Sequence, residues 1–265
     1  QDHLDFFKTM ESYGEAKKKL FSKKKTPLCI INGDDSFGRK MGEERVEGVV
    51  YYGMETPSDA FALITAESVR GSELVLNVMD DLGRVSLSLA GRHNVYNALA
   101  AFAAMRSVGF NEREIRGGLE SFEAVKRRFE RIGSFHGASF VCDYAHHPRE
   151  IAATYATASG VCKGRLYVVF QPHTYSRTKL LMKEFIEVLK PIKELLIYKT
   201  YPARERYDRE GSGEVLSERL GSLYAENVYV LKTWLKKTVK EGDMVLFLGA
   251  GDIYYAAQYL IKELR

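Results

Sequence analysis

Four polar clusters in the second half of this sequence each follow a strand-like run. Asp143, Tyr144, His146 and His147 stand directly before Pro148; Gln171, His173, Thr174, Tyr175, Arg177 and Thr178 form a second group. Arg204, Glu205 and Arg206 make a third, and the turn from Gly249 through Ala250 and Gly251 to Asp252 a fourth. His146, His173, Arg177 and Arg204 supply cations and proton-transfer groups suited to carboxylate or phosphate ligands. Asp143 is able to accept hydrogen bonds from a ribose diol or an ammonium group. The glycine turn has two readings of equal weight: close approach of backbone N–H groups to an anion at a helix start, or a tight strand-to-helix connection. A His-His pair alone is more often a cap or a core histidine than a catalyst. Four clusters on one rim shift that balance, and residues 128–178 are expected to form a substrate-handling surface.

The rim follows from the elements that carry these clusters. Strand-like runs near Phe140 and over 166–170, 195–198, 228–231 and 244–248 alternate with helical stretches over 148–158, 177–189, 215–224, 231–240 and 253–264. That alternation predicts an α/β domain, a mainly parallel sheet covered on both faces with its active residues at the strands' carboxyl ends. The first half has a different rhythm. A helix capped by Thr9 or Ser12 precedes strands over 28–32, 48–52, 61–68 and 74–79, the last turning through 80–83 into a strand over 84–89. Helices over 94–108 and 111–122 follow, and the change of rhythm places a domain boundary near 121–126. Asn94 and Asn97, three residues apart on the first of these helices, share a face and present two amides of the kind that read a purine edge. For Asn94 taken alone, helix capping is the better reading.

Composition excludes several classes. With 45% hydrophobic and 28% charged residues the chain is an ordinary globular sequence, long enough for one large or two modest domains. The formal charge of +4 owes much to lysines at 17–19 and 23–25, a solvated run rather than a nucleic-acid surface. Cys29, Cys142 and Cys162 lack metal-type spacing and read as reduced thiols of a cytoplasmic protein. No apolar run is long enough to cross a bilayer. Neither a Ser-His-Asp or Cys-His arrangement nor an HExxH or paired-cysteine metal site is present.

The strings GRHNVYNALAA, VKRRFE, CDYAHHPREIAAT, FQPHTYSRT, TYPARE and GAGDI, in this order and spacing, resemble the Mur ligases, ATP-dependent enzymes that build the peptide stem of peptidoglycan. The resemblance covers essentially the whole chain and is nearest to the alanine-adding branch. The opening DHLDFFKTMESYGEAKKKLF is more similar to the diaminopimelate- or lysine-adding branch, but the DNPR motif of that branch is missing. The resemblance implies a Rossmann-like C-terminal domain over 122–265, preceded over 1–121 by the truncated end of a P-loop-type central ATPase domain. It also implies ATP and Mg2+ as cofactors, with UDP-N-acetylmuramate and L-alanine as the partners joined, and neither nucleic acid nor membrane.

By the same resemblance Arg128, His146 and Arg177 would be catalytic, Asn94 and Asn97 would contact adenine, and Arg128 and Asp143 would hold the ATP ribose and phosphates. Tyr144, His146, His173, Thr174 and Arg177 would line the site for alanine and the muramyl carboxylate. His3 and Lys17 would serve the metal. Many relatives carry arginine where this chain has Thr174, which implies one fewer cation for the alanine carboxylate. The chemistry implied is phosphorylation of a carboxylate by ATP, attack by the amine, and expulsion of phosphate, work done by positioning and charge neutralisation. In the family a GxxxxGK[ST] loop, an acidic magnesium ligand and a UDP-binding domain precede DHLD. This sequence opens at DHLD, so the expectation is a truncated chain without ligase turnover alone. A competing expectation is a non-catalytic module that binds nucleotide or a partner protein.

Overall fold

The structure, a computed structural model, describes residues 9–21, 26–45, 47–123 and 125–264. The chain divides into two compact units. The first comprises Gln1–Ala66, Ser72–Ser88 and Arg92–Phe122, the second Glu67–Gly71, Leu89–Gly91 and Glu123–Arg265.

In the first unit, helix α1 (Met10–Lys18) is capped by Thr9, whose hydroxyl accepts the Ser12 N–H at 3.2 Å. Of the two cap candidates Thr9 therefore fills the role. Five strands follow in sheet order as in chain order: β1 (Cys29–Asn32), β2 (Val49–Gly53), β3 (Ala60–Ser68), β4 (Gly71–Val78) and β5 (Asp81–Leu87). The β1–β2 and β2–β3 pairs are parallel, whereas β4 and β5 form an antiparallel hairpin. The turn expected over 80–83 is displaced. Val78 pairs with Asp81, and the connection is Met79–Asp80, both with positive φ (51° and 71°), a two-residue turn that matches the strand twist. Helix α2 (Ser36–Glu43), not foreseen, starts where the Asp35 carboxylate accepts the Gly38 N–H at 2.7 Å. Helices α3 (Arg92–Ser107) and α4 (Glu112–Ser121) follow the hairpin, and Val95, Leu99 and Phe102 of α3 close a core with Leu74, Leu76 and Val85.

The second unit holds a six-stranded sheet built from β6 (Glu130–Phe135), β7 (Ala138–Asp143), β8 (Leu166–Phe170), β9 (Glu194–Tyr198), β10 (Leu223–Ala225) and β11 (Met244–Leu248). Its order is β10-β9-β8-β11-β7-β6, and only β6, which was not foreseen, runs antiparallel to its neighbour. Side chains alternate between its faces. Phe140, Tyr167, Leu196 and Phe247 pack against helices α9 (Val228–Thr238) and α10 (Ile253–Glu263). Val141, Val168, Ile197 and Leu246 face α5 (Pro148–Val161), α7 (Met182–Leu189) and α8 (Gly213–Leu220). Both faces being covered explains why these strands read as continuous apolar runs. The helices that follow the adjacent strands β8 and β11 go to opposite faces, which opens a switch point at those strands' carboxyl ends.

Two expectations for this unit are corrected. Residues 228–231 are not a strand but the first turn of α9, because the Asn227 side chain accepts the N–H groups of Tyr229 and Val230. Leu231 and Leu235, one helical turn apart, are buried, and the strand of this region is the short β10 just before. The helix expected over 177–189 is two, α6 (Tyr175–Leu180) and α7, separated at Leu181 (φ −102°, ψ 22°). No helix among the described residues is long and apolar enough to cross a membrane.

Candidate functional site

The rim is organised around Asp143, the last residue of β7. Its buried carboxylate accepts the Phe129 N–H at 2.8 Å on one oxygen, and the Ala145 N–H at 2.8 Å and the Thr154 hydroxyl at 3.3 Å on the other. These bonds tie the segment before β6 and the first turns of α5 to the end of β7. A carboxylate has about four acceptor positions, so most of its capacity is used inside the chain. Helix α5 then begins with Pro148 at its first turn and His147 at its N-cap, and Glu150 turns back to accept the N–H groups of His146 (3.0 Å) and His147 (3.2 Å). His147 is thus the capping member of the pair. His146 is free of that duty.

His146, His173 and Arg177 come together. The Nδ1 of His146 lies 3.0 Å from the Tyr144 carbonyl, which only accepts, so Nδ1 carries the proton and Nε2 is left as an acceptor. Glu150 lies 3.4 Å from the same Nδ1. Arg177 donates from Nη1 to Nδ1 of His173 at 3.2 Å, which assigns the opposite tautomer there, with the proton on Nε2. Burial, reinforced by the charge of Arg177, pulls the His173 pKa down to about 4, so this ring is neutral at pH 7. The two imidazole centroids are 5.8 Å apart, and Tyr201 stacks on His173 at 5.4 Å.

Thr174 connects His173 to α6 in a backbone conformation, φ 68° and ψ 145°, that side chains with a Cβ rarely adopt. Its N–H donates to Tyr201 O at 2.9 Å, its hydroxyl accepts the Arg177 N–H at 3.4 Å, and its carbonyl accepts the Thr178 hydroxyl at 2.7 Å. Glu205 accepts both the N–H (2.9 Å) and the hydroxyl of Ser176. Burial pushes the Glu205 carboxyl up, but the bonds from Ser176, with those from Tyr175 and Thr174, hold it below the usual range.

Arg127 dominates the neighbouring corner, although the sequence directed attention to Arg128. Its Nη2 donates to the carbonyls of Gly249 (3.0 Å) and Gly251 (2.8 Å), and its guanidinium lies over the rings of Tyr144 (4.7 Å) and Tyr254 (5.3 Å). Arg128 is exposed, with its guanidinium 5.6 Å from the same Tyr144 ring. The glycine turn resolves toward a tight connection. A Cβ on Gly251 would meet Gln171 Oε1 and Tyr201 Cβ at 2.5 Å, and one on Gly249 (φ 151°) would meet the Gln171 carbonyl at 3.0 Å. Gln171, fully buried, accepts the Ile253 N–H at 3.0 Å and donates to Asp252 and to Lys199 O. The start of α10 is therefore met by the chain's own amide oxygen. Arg204 and Arg206 lie exposed on the loop after β9.

In the first unit Asn94 is buried in the opening turn of α3, two residues inside the helix, and is not its cap; Asn97 is exposed. Between them Tyr96 donates from its hydroxyl to Asp34 at 2.8 Å. Asp34 also accepts the N–H groups of Met54, Glu55 and Thr56 and the Thr56 hydroxyl. Burial pushes the Asp34 carboxyl up, but the bonds from Thr56, Met54 and Tyr96 outweigh it and hold this group well below the ordinary carboxylate range. Lys17 is exposed on α1, its ammonium 5.4 Å from the Tyr13 ring. His3 lies outside the described residues. Among those described, no three His, Cys, Asp or Glu side chains converge to hold a metal.

Comparison with known proteins matches the Mur ligase middle domain to residues 1–105 and the Mur ligase, glutamate ligase domain to residues 127–251. The chain belongs to the Mur ligase family. Among curated Mur ligases, the UDP-N-acetylmuramate–L-alanine ligase of Lachnospira eligens is 36% identical over 285 residues, covering 99% of this chain and 59% of that protein. The protein of the same name from Aquifex aeolicus is 33% identical over 274 residues, covering 100% and 59%. This Mur ligase chain thus spans about three-fifths of the curated relatives it matches. The crystal structure of the UDP-N-acetylmuramate-alanine ligase of Thermotoga maritima superposes with a TM-score of 0.75 at 25% identity, over 99% of this chain and 57% of that one. A MurF ligase of T. maritima in complex with ADP gives 0.77 at 21% identity, over 99% and 60%, a likeness of fold.

Of the residues the sequence singled out, the second unit of this Mur ligase brings Tyr144, His146, His173, Thr174 and Arg177 onto one rim with Asp143 beneath it. Arg128 approaches through Tyr144. Sequence reasoning missed Arg127, Tyr201 and Tyr254. Their roles come from partners far away in the chain, and no local signal marks them.

Proposed function

We propose that the protein carrying this chain joins L-alanine to the lactyl carboxylate of UDP-N-acetylmuramate at the expense of ATP. The observation that carries this reading is the convergence of His146, His173 and Arg177. An amino acid needs a cation for its carboxylate and an acceptor for the proton its amine gives up. Arg177 keeps donors beyond the one engaged with His173, and Nε2 of His146 is the acceptor. The neutral His173 adds an N–H donor without adding charge. Tyr144 and Thr174 close the same rim. The names and identities of the curated relatives support alanine as the amino acid.

ATP would supply an activated carboxylate as an acyl phosphate, from which amine attack releases phosphate. Asn94 and Asn97 are the residues we assign to its adenine and Arg128, with its exposed guanidinium, to its ribose and phosphates. Asp143 is assigned a supporting place in that group, since its bonds position Phe129, next to Arg128. A Mg2+ ion belongs to the reading as a companion of ATP. The described residues alone do not form a site for it, and no step is derived through it. The cytoplasm, where nucleotide-linked precursors and ATP meet, is the location that goes with this function, and the three free cysteines are consistent with it.

The test is phosphate release from ATP by the intact protein, with UDP-N-acetylmuramate and a panel of L-alanine, glycine, L-lysine and meso-diaminopimelate. Turnover that requires both UDP-N-acetylmuramate and L-alanine is expected, with none from the 265-residue chain alone. Preference for diaminopimelate, or nucleotide binding without turnover by the intact protein, would overturn the assignment.

A further inference from the structure

We infer that the loop after β9, from Tyr201 to Glu205, is a positioning clamp that holds the His173–Arg177 pair in the one geometry the rim needs, with Glu205 as its key positioning residue. This rests on the reading of that rim as the amino-acid site. The sequence marks Arg204, Glu205 and Arg206 as a polar cluster, and the proposed chemistry uses none of them.

The loop grips the 172–178 turn at several points. Tyr201 N–H donates to Pro172 O and Thr174 N–H to Tyr201 O, both at 2.9 Å, so the two segments run as a short parallel bridge through His173. The Tyr201 ring stacks on the His173 ring, 28° from parallel. Beyond the bridge, Glu205 takes both the backbone N–H and the hydroxyl of Ser176. Thr174 lies between these grips.

The positive φ of Thr174 gives the clamp its purpose. A threonine at φ 68° and ψ 145° relaxes toward an ordinary extended conformation unless its neighbours over-determine it. Such a relaxation would rotate the chain between His173 and Arg177 and part Nη1 from Nδ1. Charge-assisted bonds are the strong ones, and the two from Ser176 to Glu205 are of that kind, unlike the backbone bonds of the bridge. Glu205 makes no hydrogen bond to His173 or Arg177; its charge opposes the lowering of the His173 pKa through space, and its hold on their geometry passes through Ser176 and the turn.

The test has two arms. In the 265-residue chain, 15N-labelled histidine spectra should show the wild-type His173 ring as a single neutral Nε2–H tautomer. In Glu205→Ala the loss of the Arg177 donor should give a mixture of tautomers, and Glu205→Gln, which still accepts one bond, should fall between. Ser176→Ala, which keeps the backbone N–H for Glu205, should stay near wild type and serves as the folded reference. An unchanged His173 signal in Glu205→Ala overturns the clamp. In the intact protein, Glu205→Ala should raise KM for L-alanine roughly tenfold, with KM for ATP unchanged, the pattern of lost substrate positioning. A changed His173 signal with an unaltered alanine KM would uphold the clamp and sink the assignment of the rim to the amino acid.

Discussion

Arg127 donates to the Gly251 carbonyl at 2.8 Å across 124 positions of sequence, and the same nitrogen reaches Gly249. This one side chain fastens the turn after the last strand to the segment that opens the second unit. Arg127→Ala leaves two carbonyls without their donor and strips a cation from two tyrosine rings. The expected cost is about 2–3 kcal/mol of stability. Arg127→Lys should recover part of it, since an ammonium reaches one carbonyl but does not reproduce the planar fork. Urea midpoints at unchanged m-value are the measurement. Arg127→Ala within about 0.5 kcal/mol of wild type would show that the turn holds without it.

The glycines of this chain divide by what surrounds them, and alanine substitution separates the two kinds. A Cβ on Gly251 would meet Gln171 Oε1 and Tyr201 Cβ at 2.5 Å, so Gly251→Ala should destabilise by about 1–3 kcal/mol and disturb the Gln171 bonds. Gly117 sits in the middle of α4 with nothing within 4 Å of such a Cβ. Gly117→Ala should therefore stabilise, by about 0.5–1 kcal/mol, through helix propensity alone. Thermal melts of the two variants should move in opposite directions, and a shared direction would refute the packing argument.

Asp143 holds internal bonds and has a proposed place in nucleotide binding, and one variant can separate the two. Asn is nearly isosteric but offers only one acceptor oxygen, and its amino group would face either the Phe129 N–H or the Ala145 N–H. Asp143→Asn should thus cost about 1–3 kcal/mol of stability in addition to any loss of ATP affinity. If nucleotide affinity falls while the urea midpoint does not move, the carboxylate acts on ligand directly and its internal bonds are dispensable.

How legible this molecule was depends on the distance over which each feature is decided. Strands β8, β9 and β11 announce themselves because burial on both faces writes an apolar run of four or five residues into the sequence, and β7 shows a shorter one over 140–142. The segment from Val228 carries the same composition yet is helical, because the Asn227 cap and the spacing of Leu231 and Leu235 outweigh β-branched propensity. Helix α2 was hidden by Gly38 and Gly42, which read as turn residues. Both are buried where the helix packs, Gly42 beside the Tyr51 ring. The histidines and Arg177 were legible from type and position. Arg127 was not, because both carbonyls it serves lie more than a hundred residues away, and nothing near it distinguishes it from Arg128.

The two titrating groups with the largest bearing on acid stability point the same way but act in different windows. His173 has its folded pKa lowered from 6.5 to about 4. Between those values the unfolded chain binds the proton and the folded one does not, so stability falls as pH drops from about 6.5 toward 4 and is flat above. Asp34 has its folded pKa depressed below the ordinary carboxylate value. Its contribution is complete above the unfolded pKa of about 3.9 and is lost as pH falls further. Two variants resolve the windows. His173→Gln should flatten the slope between pH 6.5 and 4 relative to wild type, leaving the steeper loss below pH 4 in place. Asp34→Asn should lower stability at pH 7 and lessen the loss below pH 4, with the His173 window intact. Urea titrations at half-unit pH steps read both. If His173→Gln keeps the wild-type slope from pH 6.5 to 4, the His173 ring is not held neutral in the fold over that range.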